Sequence, residues 1–573
     1  MSSDSRPNRV GFVAFLVAAF AFRLFYGLSM PFWFEDERQV YLIGLRSFAR
    51  GLWPYFGADV VWTGGQLPGA LQGMLIRWPL GVWPVPEAPV ILLNLLSFSA
   101  LAFFAWYLCR RLPDVPRWLV WCALFTLPWT LNFSTHVTNV SYVLPGAILF
   151  FVGFFEALPA LSRRILPFSL AWALMGAGLL FVLQMHMSWV LLPPYVAVAI
   201  AALLFGKAER LPGPRGPLIA TAAVSFLAGA AVIGWLLVPT LLRYGLDAGA
   251  TTGALQFQPR SPIQFAKTAA RMLSFASFET NRFFGVSTPE RVLLAVRMPW
   301  LVPAVIIVAA AGIWQPLWMA VSLFRRSRVD REDWMRVRVL LVATVAMVYF
   351  DYFWSIREPQ AHAFYVVFPV AVLFAATCWQ VWSRGNPPRW TRWARVAAAV
   401  LVCGVLVHTG LAWDRWSRDS LYANRAVAAA AIDLRNDRLL GDRRERMMEK
   451  EEYRPRPQDG VADPDAFLSA RADRDLQVRS VTWHRGLFRS SLFDVTISNR
   501  SDTTAWLDTE YETAYVDAQG QILATRRGVL KQILEPGDTR TWTDHADDFV
   551  PEGTVTATFA ITGAQRTIPV PRR

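Results

Sequence analysis

Apolar runs of roughly 18 or more residues, parted by short Arg- and Pro-rich pieces, recur along the first 413 residues of the chain. Each is long enough to cross the hydrocarbon core of a bilayer as a helix. Windows near 10–29, 88–108, 117–133, 140–161, 167–184, 188–205, 217–241, 298–324, 339–355, 362–382 and 396–413 make about eleven spans. The fold class that follows is a polytopic α-helical membrane protein. A hydrophobic fraction of 54%, with 26 Trp and 39 Phe to fill cores and interfaces, suits that class and no soluble one.

A formal charge of +14 raises the question of a nucleic acid partner. The cations answer it, because they sit in alternate connectors: Arg110, Arg111 and Arg117; Arg163 and Arg164; Lys207, Arg210 and Arg215; Arg325, Arg326, Arg328, Arg331, Arg336 and Arg338; Arg384, Arg389, Arg392 and Arg395. The intervening turns 134–139, 184–188 and 356–361 hold only Arg357 as a cation. This is the positive-inside pattern, and it implies membrane lipids rather than nucleic acid. It puts the N-terminus in the cytoplasm and, after an odd number of spans, everything past 413 outside. The first run is too long for a signal peptide and lacks a small-residue cleavage site, so it reads as a retained helix. Cys109, Cys122, Cys378 and Cys403 lie in or beside apolar runs without metal-ligand spacing, so neither a zinc site nor a disulfide framework is expected.

The expected organisation is a membrane domain over 1–413 with outer stretches at 31–87 and 243–297, a helix and linker over 414–473, and an all-β sandwich over 474–573. The last part reads as strand because Phe493, Val495 and Ile497 alternate with polar residues, with further candidates at 506–512 and 554–559. Turns at 517–521 and 535–538 punctuate them, giving about seven short strands. Residues 424–452 read as a charged helix, broken by the Pro-rich 453–460.

Three carboxylates stand in a row at Phe34-Glu35-Asp36-Glu37-Arg38, just where the first span emerges. Acidic groups at a membrane surface are costly unless used or paired. The plain alternative is a solvated cluster that caps the next helix, with Arg38 as its partner. Apolar residues from Val40 to Phe48 then alternate with Arg46 and Arg50 at helical spacing, which suits an interfacial helix. In the second outer stretch Phe265, Ala269, Met272 and Phe275 share one side of a helix while Lys267 and Arg271 share another. With Arg243, Arg260, Arg282 and Arg291 it forms a basic surface that attracts lipid phosphates. Non-specific headgroup anchoring is the alternative there.

The order Asp36-Glu37, Tyr41, Gly51-Leu52-Trp53-Pro54-Tyr55, Asp59 and Gly65-Gln66-Leu67-Pro68-Gly69 resembles the first extracytoplasmic loop of the GT-C superfamily of glycosyltransferases. The likeness is to the branch of protein O-mannosyltransferases and lipid A aminoarabinose transferases. Two departures are plain: Gly65-Gln66-Leu67-Pro68 replaces the usual His-Pro-Pro, and Glu35 precedes the acidic pair. The resemblance implies an enzyme of the bacterial inner membrane that takes a sugar from a polyprenyl-phosphate donor. It implies Asp36 as general base, with Glu37 orienting the acceptor, holding a divalent metal such as Mg or Mn, or pairing with a basic residue that positions Asp36. The acceptor, a glycan, lipid or protein, stays open.

The chemistry asks for the same parts independently. A carboxylate must take the acceptor's proton, and cations must hold the leaving phosphate as its charge develops. For the phosphate, Arg357 is the preferred clamp, since a guanidinium stays charged and grips phosphate bidentately. Glu358 beside it competes for that charge. His362, Tyr365, His136, His186, Arg243, Lys267 and Arg271 complete the candidate donor site, with Asn139, Gln184 and Ser188 in the same outer turns. Histidines at helix ends also serve as caps, and that alternative stands beside each. No Gly-rich nucleotide loop appears, which argues against ATP or a sugar nucleotide. The rival readings are a transporter or flippase, and a non-catalytic assembly protein of the cell envelope.

Overall fold

Helix occupies every one of those apolar windows in the computed structural model, which describes residues 9–29, 40–41, 43–45, 47–48, 51–60, 65–157, 164–207, 211–245, 257–276, 288–325, 331–354, 361–385, 387–417, 463–486, 490–567 and 569. Among the described residues, eight helices are long and apolar enough to cross a membrane. They include α1 (Arg9–Leu28), and the chain is a polytopic helical membrane protein. Two further windows hold shorter apolar helices, Val143–Ala157 and Phe168–Leu183.

The window 117–133 departs from the expected straight span. It is split into Arg117–Thr126 and Pro128–Ser134, with Leu127 extended between them. Pro128 is the reason, because it offers no N–H to the carbonyl one turn earlier. Leu124 O therefore takes its hydrogen bond from the Thr130 hydroxyl instead, at 3.1 Å.

Side chains too small to separate backbones set the closest helix contacts. A Cβ on Gly229 would stand 1.9 Å from the Ala173 carbonyl oxygen, and one on Gly176 would stand 2.1 Å from Phe226 O. The helices Phe168–Leu183 and Arg215–Gly234 thus touch backbone to backbone, as packing in lipid favours. The outward faces of the long helices are apolar, with Val224, Leu227, Ile306, Ile313 and Leu317 exposed.

In the first outer stretch a two-stranded hairpin pairs β1 (Phe56–Val60) with β2 (Gly65–Pro68), antiparallel. The helix Leu71–Val82 follows it. Around 40–48 the described residues are helical, as the sequence expects. Val40, Tyr41 and Leu45 are buried, and the Tyr41 hydroxyl donates to Pro86 O at 2.9 Å, so this piece packs into the protein. Leu42, Arg46 and Arg50 lie outside the described residues.

Residues 418–462, including the expected charged helix, lie outside the described residues as well. Beyond them two three-stranded antiparallel sheets form, ordered β3-β4-β7 and β6-β5-β8. The strands are β3 (Leu476–Arg485), β4 (Ser490–Asn499), β5 (Ala505–Val516), β6 (Ile522–Leu534), β7 (Thr539–Phe549) and β8 (Thr556–Thr567). The two expected turns stand where the sequence placed them, with Gly520 at φ 80 and Gly537 at φ 73. Phe493, Val495 and Ile497 from one sheet and Trp506, Tyr511, Leu530 and Phe559 from the other share one buried cluster.

Polar side chains also bridge the sheets: the Tyr511 hydroxyl meets His545 Nε2 at 2.7 Å, and Tyr515 donates to Asp547 Oδ2 at 2.6 Å. Burial, and then the Asp547 carboxylate, push the Tyr515 hydroxyl well above its usual range. The packed unit starts ahead of residue 474. Asp463 caps the short helix Pro464–Ser469, and Phe467 is wholly buried. Ala470 and Ala472 then join the sheet cluster. The helix Thr288–Arg297 of the second outer stretch lies against β7 and β4, so both belong to one side of the molecule.

Candidate functional site

Three outer turns that are far apart in sequence meet around the short helix Pro128–Ser134. From its face the Phe133 ring lies 5.8 Å from Tyr365 and 6.2 Å from His362, and the Trp129 ring lies 5.6 Å from Tyr365. The 3-10 turn Met187–Leu191, which begins just after His186, touches the 3-10 turn Tyr365–Val367. His136 follows the Pro128–Ser134 helix by two residues. His136, His186, His362 and Tyr365 therefore come from turns on one face of the bundle, as the sequence expects. Tyr365 is wholly buried.

Two of the candidates in those turns work as caps. His186 Nδ1 accepts from Ser188 N at 3.1 Å and meets the Ser188 hydroxyl at 3.0 Å. Asn139 Oδ1 accepts from Val140 N at 2.7 Å. Both finish the first turn of a 3-10 helix, which is the capping alternative for each.

The motif residues of the first outer loop are pinned to the ends of later spans. Tyr55 O accepts from Gly69 N at 2.9 Å and from the Thr240 hydroxyl at 2.6 Å. Arg243 donates to the Tyr55 hydroxyl at 3.1 Å, and its guanidinium lies 4.8 Å from the Tyr55 ring centroid and 5.5 Å from that of Tyr244. That exposed cation is thus engaged with the loop, a role the sequence did not give it. Gln72 Oε1 accepts from Ala58 N at 2.6 Å, holding the hairpin over the following helix.

Gly69 is where the loop comes closest to the bundle. It sits at φ 110, and a Cβ there would stand 2.3 Å from Gln184 Oε1. The same oxygen accepts from Leu71 N at 3.4 Å, while Gln184 Nε2 donates to Ile233 O at 3.2 Å. The Gly-Gln-Leu-Pro-Gly segment is therefore a strand and turn laid across the ends of two spans. Gly69→Ala adds a side chain where both φ and space refuse one. We expect it to cost about 1–3 kcal/mol, read as a lower unfolding midpoint in detergent, with Gly65→Ala as the comparison.

Of the four apolar residues expected on one side of the helix Pro262–Leu273, Met272 is buried, and Ala269 and, just past the helix, Phe275 are half-buried. Gln264, Thr268 and Met272 are buried, whereas Phe265 is partly exposed with its ring 5.4 Å from Tyr349. Lys267 is exposed and Arg271 half-buried. The buried i, i+4 stripe is polar at two positions of three, and apolar Ile263 and Phe265 are exposed.

Asp36, Glu37, Glu35, Arg38, Arg357 and Glu358 all lie outside the described residues. Among the described residues no group of three His, Cys, Asp or Glu side chains is placed to hold a metal ion.

The sequence reading passed over Arg23, although it is the one cation inside the first apolar window. It is wholly buried. Its Nη1 donates to Phe125 O at 3.0 Å and to the Thr130 hydroxyl at 3.2 Å; its Nη2 donates to Thr130 O at 3.3 Å and to the Ser134 hydroxyl at 2.8 Å. One turn on, the Tyr26 hydroxyl donates to Asn132 Oδ1 at 2.6 Å.

No family model and no curated protein matches the chain. Solved structures do. ArnT from Cupriavidus metallidurans bound to undecaprenyl phosphate aligns at 12% identity, over 77% of this chain and 80% of that one, with a TM-score of 0.43. The apo state of the same protein aligns at 11% identity over 78% and 81%, with a TM-score of 0.44. The arabinosyltransferase EmbB from Mycobacterium smegmatis aligns at 11% identity over 100% of this chain and 66% of that one, with a TM-score of 0.36. The chain is similar to these. At such scores no residue, ligand or activity carries over from them.

Proposed function

We propose that the chain is a membrane glycosyltransferase that moves a sugar from a polyprenyl-phosphate donor to an extracytoplasmic acceptor, with Asp36 as general base. In this reading the acceptor hydroxyl gives its proton to Asp36 as its oxygen bonds the anomeric carbon. The bond from that carbon to the phosphate oxygen breaks, and polyprenyl phosphate leaves. Arg357 neutralises the charge that develops on the leaving phosphate.

The observation that carries the reading is the first outer loop itself. It holds the Asp36-Glu37 pair, the Gly51–Tyr55 segment and the Gly65–Gly69 segment in one order, and its Tyr55 and Gly69 are fastened to the ends of later spans. The Gln184 that meets Gly69 begins the same turn as His186, so the loop lies beside the group around Tyr365. Mass-spectrometric comparison of envelope glycans and lipids from cells with and without the protein tests it. A missing sugar on one acceptor supports the reading, and identical profiles overturn it.

Orientation follows from the Arg bias of the connectors, which places the C-terminal sheets outside the cytoplasm. A phosphatase reporter fused after residue 573 should be active. A silent phosphatase paired with a fluorescent cytoplasmic reporter would reverse the topology.

The donor side makes its own prediction. Arg357→Ala should weaken donor use by about tenfold or more while acceptor use stays near normal, because the lost contact is to the leaving group. Lysine should restore only part of it, keeping the charge and losing the fork. Unchanged donor kinetics would remove Arg357 from the site.

A further inference from the structure

Pro128 breaks the third apolar window in the middle of the helical body, and a broken helix in lipid must find donors for its freed carbonyls. Thr130 serves Leu124 O, and Arg23 serves Phe125 O, reaching it from α1 across 102 residues of sequence. Among the described residues no carboxylate pairs with Arg23. Its charge rests instead on the C-terminal end of the helix Arg117–Thr126, where the dipole favours a cation, and on the Thr130 carbonyl.

Arg23 also joins the three chain segments that carry the candidate site. Its own helix ends at Leu28, eight residues before Asp36. On the second, Ser134 precedes His136 by two. On the third, the Tyr365 ring lies 5.8 Å from that of Phe133, the neighbour of Ser134. We infer that Arg23 is a positioning residue for sugar transfer: a tethered cation that closes the broken span and holds the end of α1 that leads in sequence to Asp36 against the Pro128–Ser134 helix, on which the Tyr365 turn packs.

This rests on the glycosyltransfer reading, and the experiment separates the two. Arg23→Met and Arg23→Lys are compared with wild type in full-length protein, with product in envelope extracts normalised to folded, inserted protein. Binding is followed separately with undecaprenyl phosphate as probe, through its shift of the unfolding midpoint in detergent. A misplaced base costs turnover far more than phosphate binding, so Arg23→Met should lose about 10–100-fold in normalised product. Its undecaprenyl phosphate shift should stay within about threefold of wild type in midpoint concentration. Lysine should recover part of the turnover.

Should Arg23→Met fail to fold, Ser134→Ala and Thr130→Val remove acceptors from Arg23 while leaving the cation, and the same split is expected in smaller measure. Wild-type turnover per folded molecule in these variants, or a parallel loss of turnover and binding, overturns the positioning role. If Asp36→Asn in the same extracts keeps full product, the glycosyltransfer reading falls instead.

Discussion

Asp36→Asn is expected to lower sugar transfer by about 100-fold or more while the protein still inserts and folds. The amide keeps the carboxylate's shape and cannot take the acceptor's proton. Glu35→Gln should change little, because the resembling family has no acid at that place. Glu37→Gln should fall between the two, since it would still orient an acceptor weakly and would hold a metal poorly. The measurement is transfer from a purified polyprenyl-phosphate sugar, with circular dichroism as the control for folding. Near-wild-type transfer by the Asn variant would end the assignment. A dead Glu35 variant beside an active Asp36 variant would move the base one residue upstream.

The helical body was legible because its signal is local. Each window reports its own hydropathy, and helix fills all of them. The sheets were legible for the same reason, since alternation and turn residues such as Gly520 and Gly537 act within a few positions. What the sequence hid is tertiary. Nothing near Pro128 told which residue would repair the break it makes, because Arg23 lies about a hundred positions upstream. Which side of the helix Pro262–Leu273 packs inward was not legible either. In water the apolar stripe of a helix turns inward, whereas beside lipid it turns outward and leaves Gln264 and Thr268 to the interior. The histidines divide by chemistry of the turn. His186 accepts from its own neighbour's N–H and so serves as a cap, which spacing alone did not separate from a ligand role.

The largest loss of stability should come from the opposite end of the bundle. Glu156, in the helix Val143–Ala157, has no exposed side-chain surface, and Arg111, at the end of Ala88–Arg111, has 8%. Their atoms Oε1 and Nη1 are 2.9 Å apart, and Glu156 Oε2 also accepts from Ile165 N at 2.7 Å and Leu166 N at 3.1 Å. Glu156→Ala takes the carboxylate of this ion pair from Arg111 and the acceptor from two backbone N–H groups at once. Breaking such a pair from one side costs about 3–5 kcal/mol, against about 0–1 kcal/mol for an exposed pair. The expected result is a marked fall of the unfolding midpoint in detergent, with turnover per folded molecule unchanged because the outer turns are untouched. A double variant, Glu156→Gln with Arg111→Met, removes both charges and leaves an amide oxygen for the two N–H groups. It should regain most of the loss, since the penalty lies in the uncompensated charge rather than in the pair's own attraction. A double variant as unstable as Glu156→Ala would mean that the attraction itself holds the two helices together, and a stable Glu156→Ala would mean that water or its other neighbours, the Tyr107 ring among them, serve Arg111.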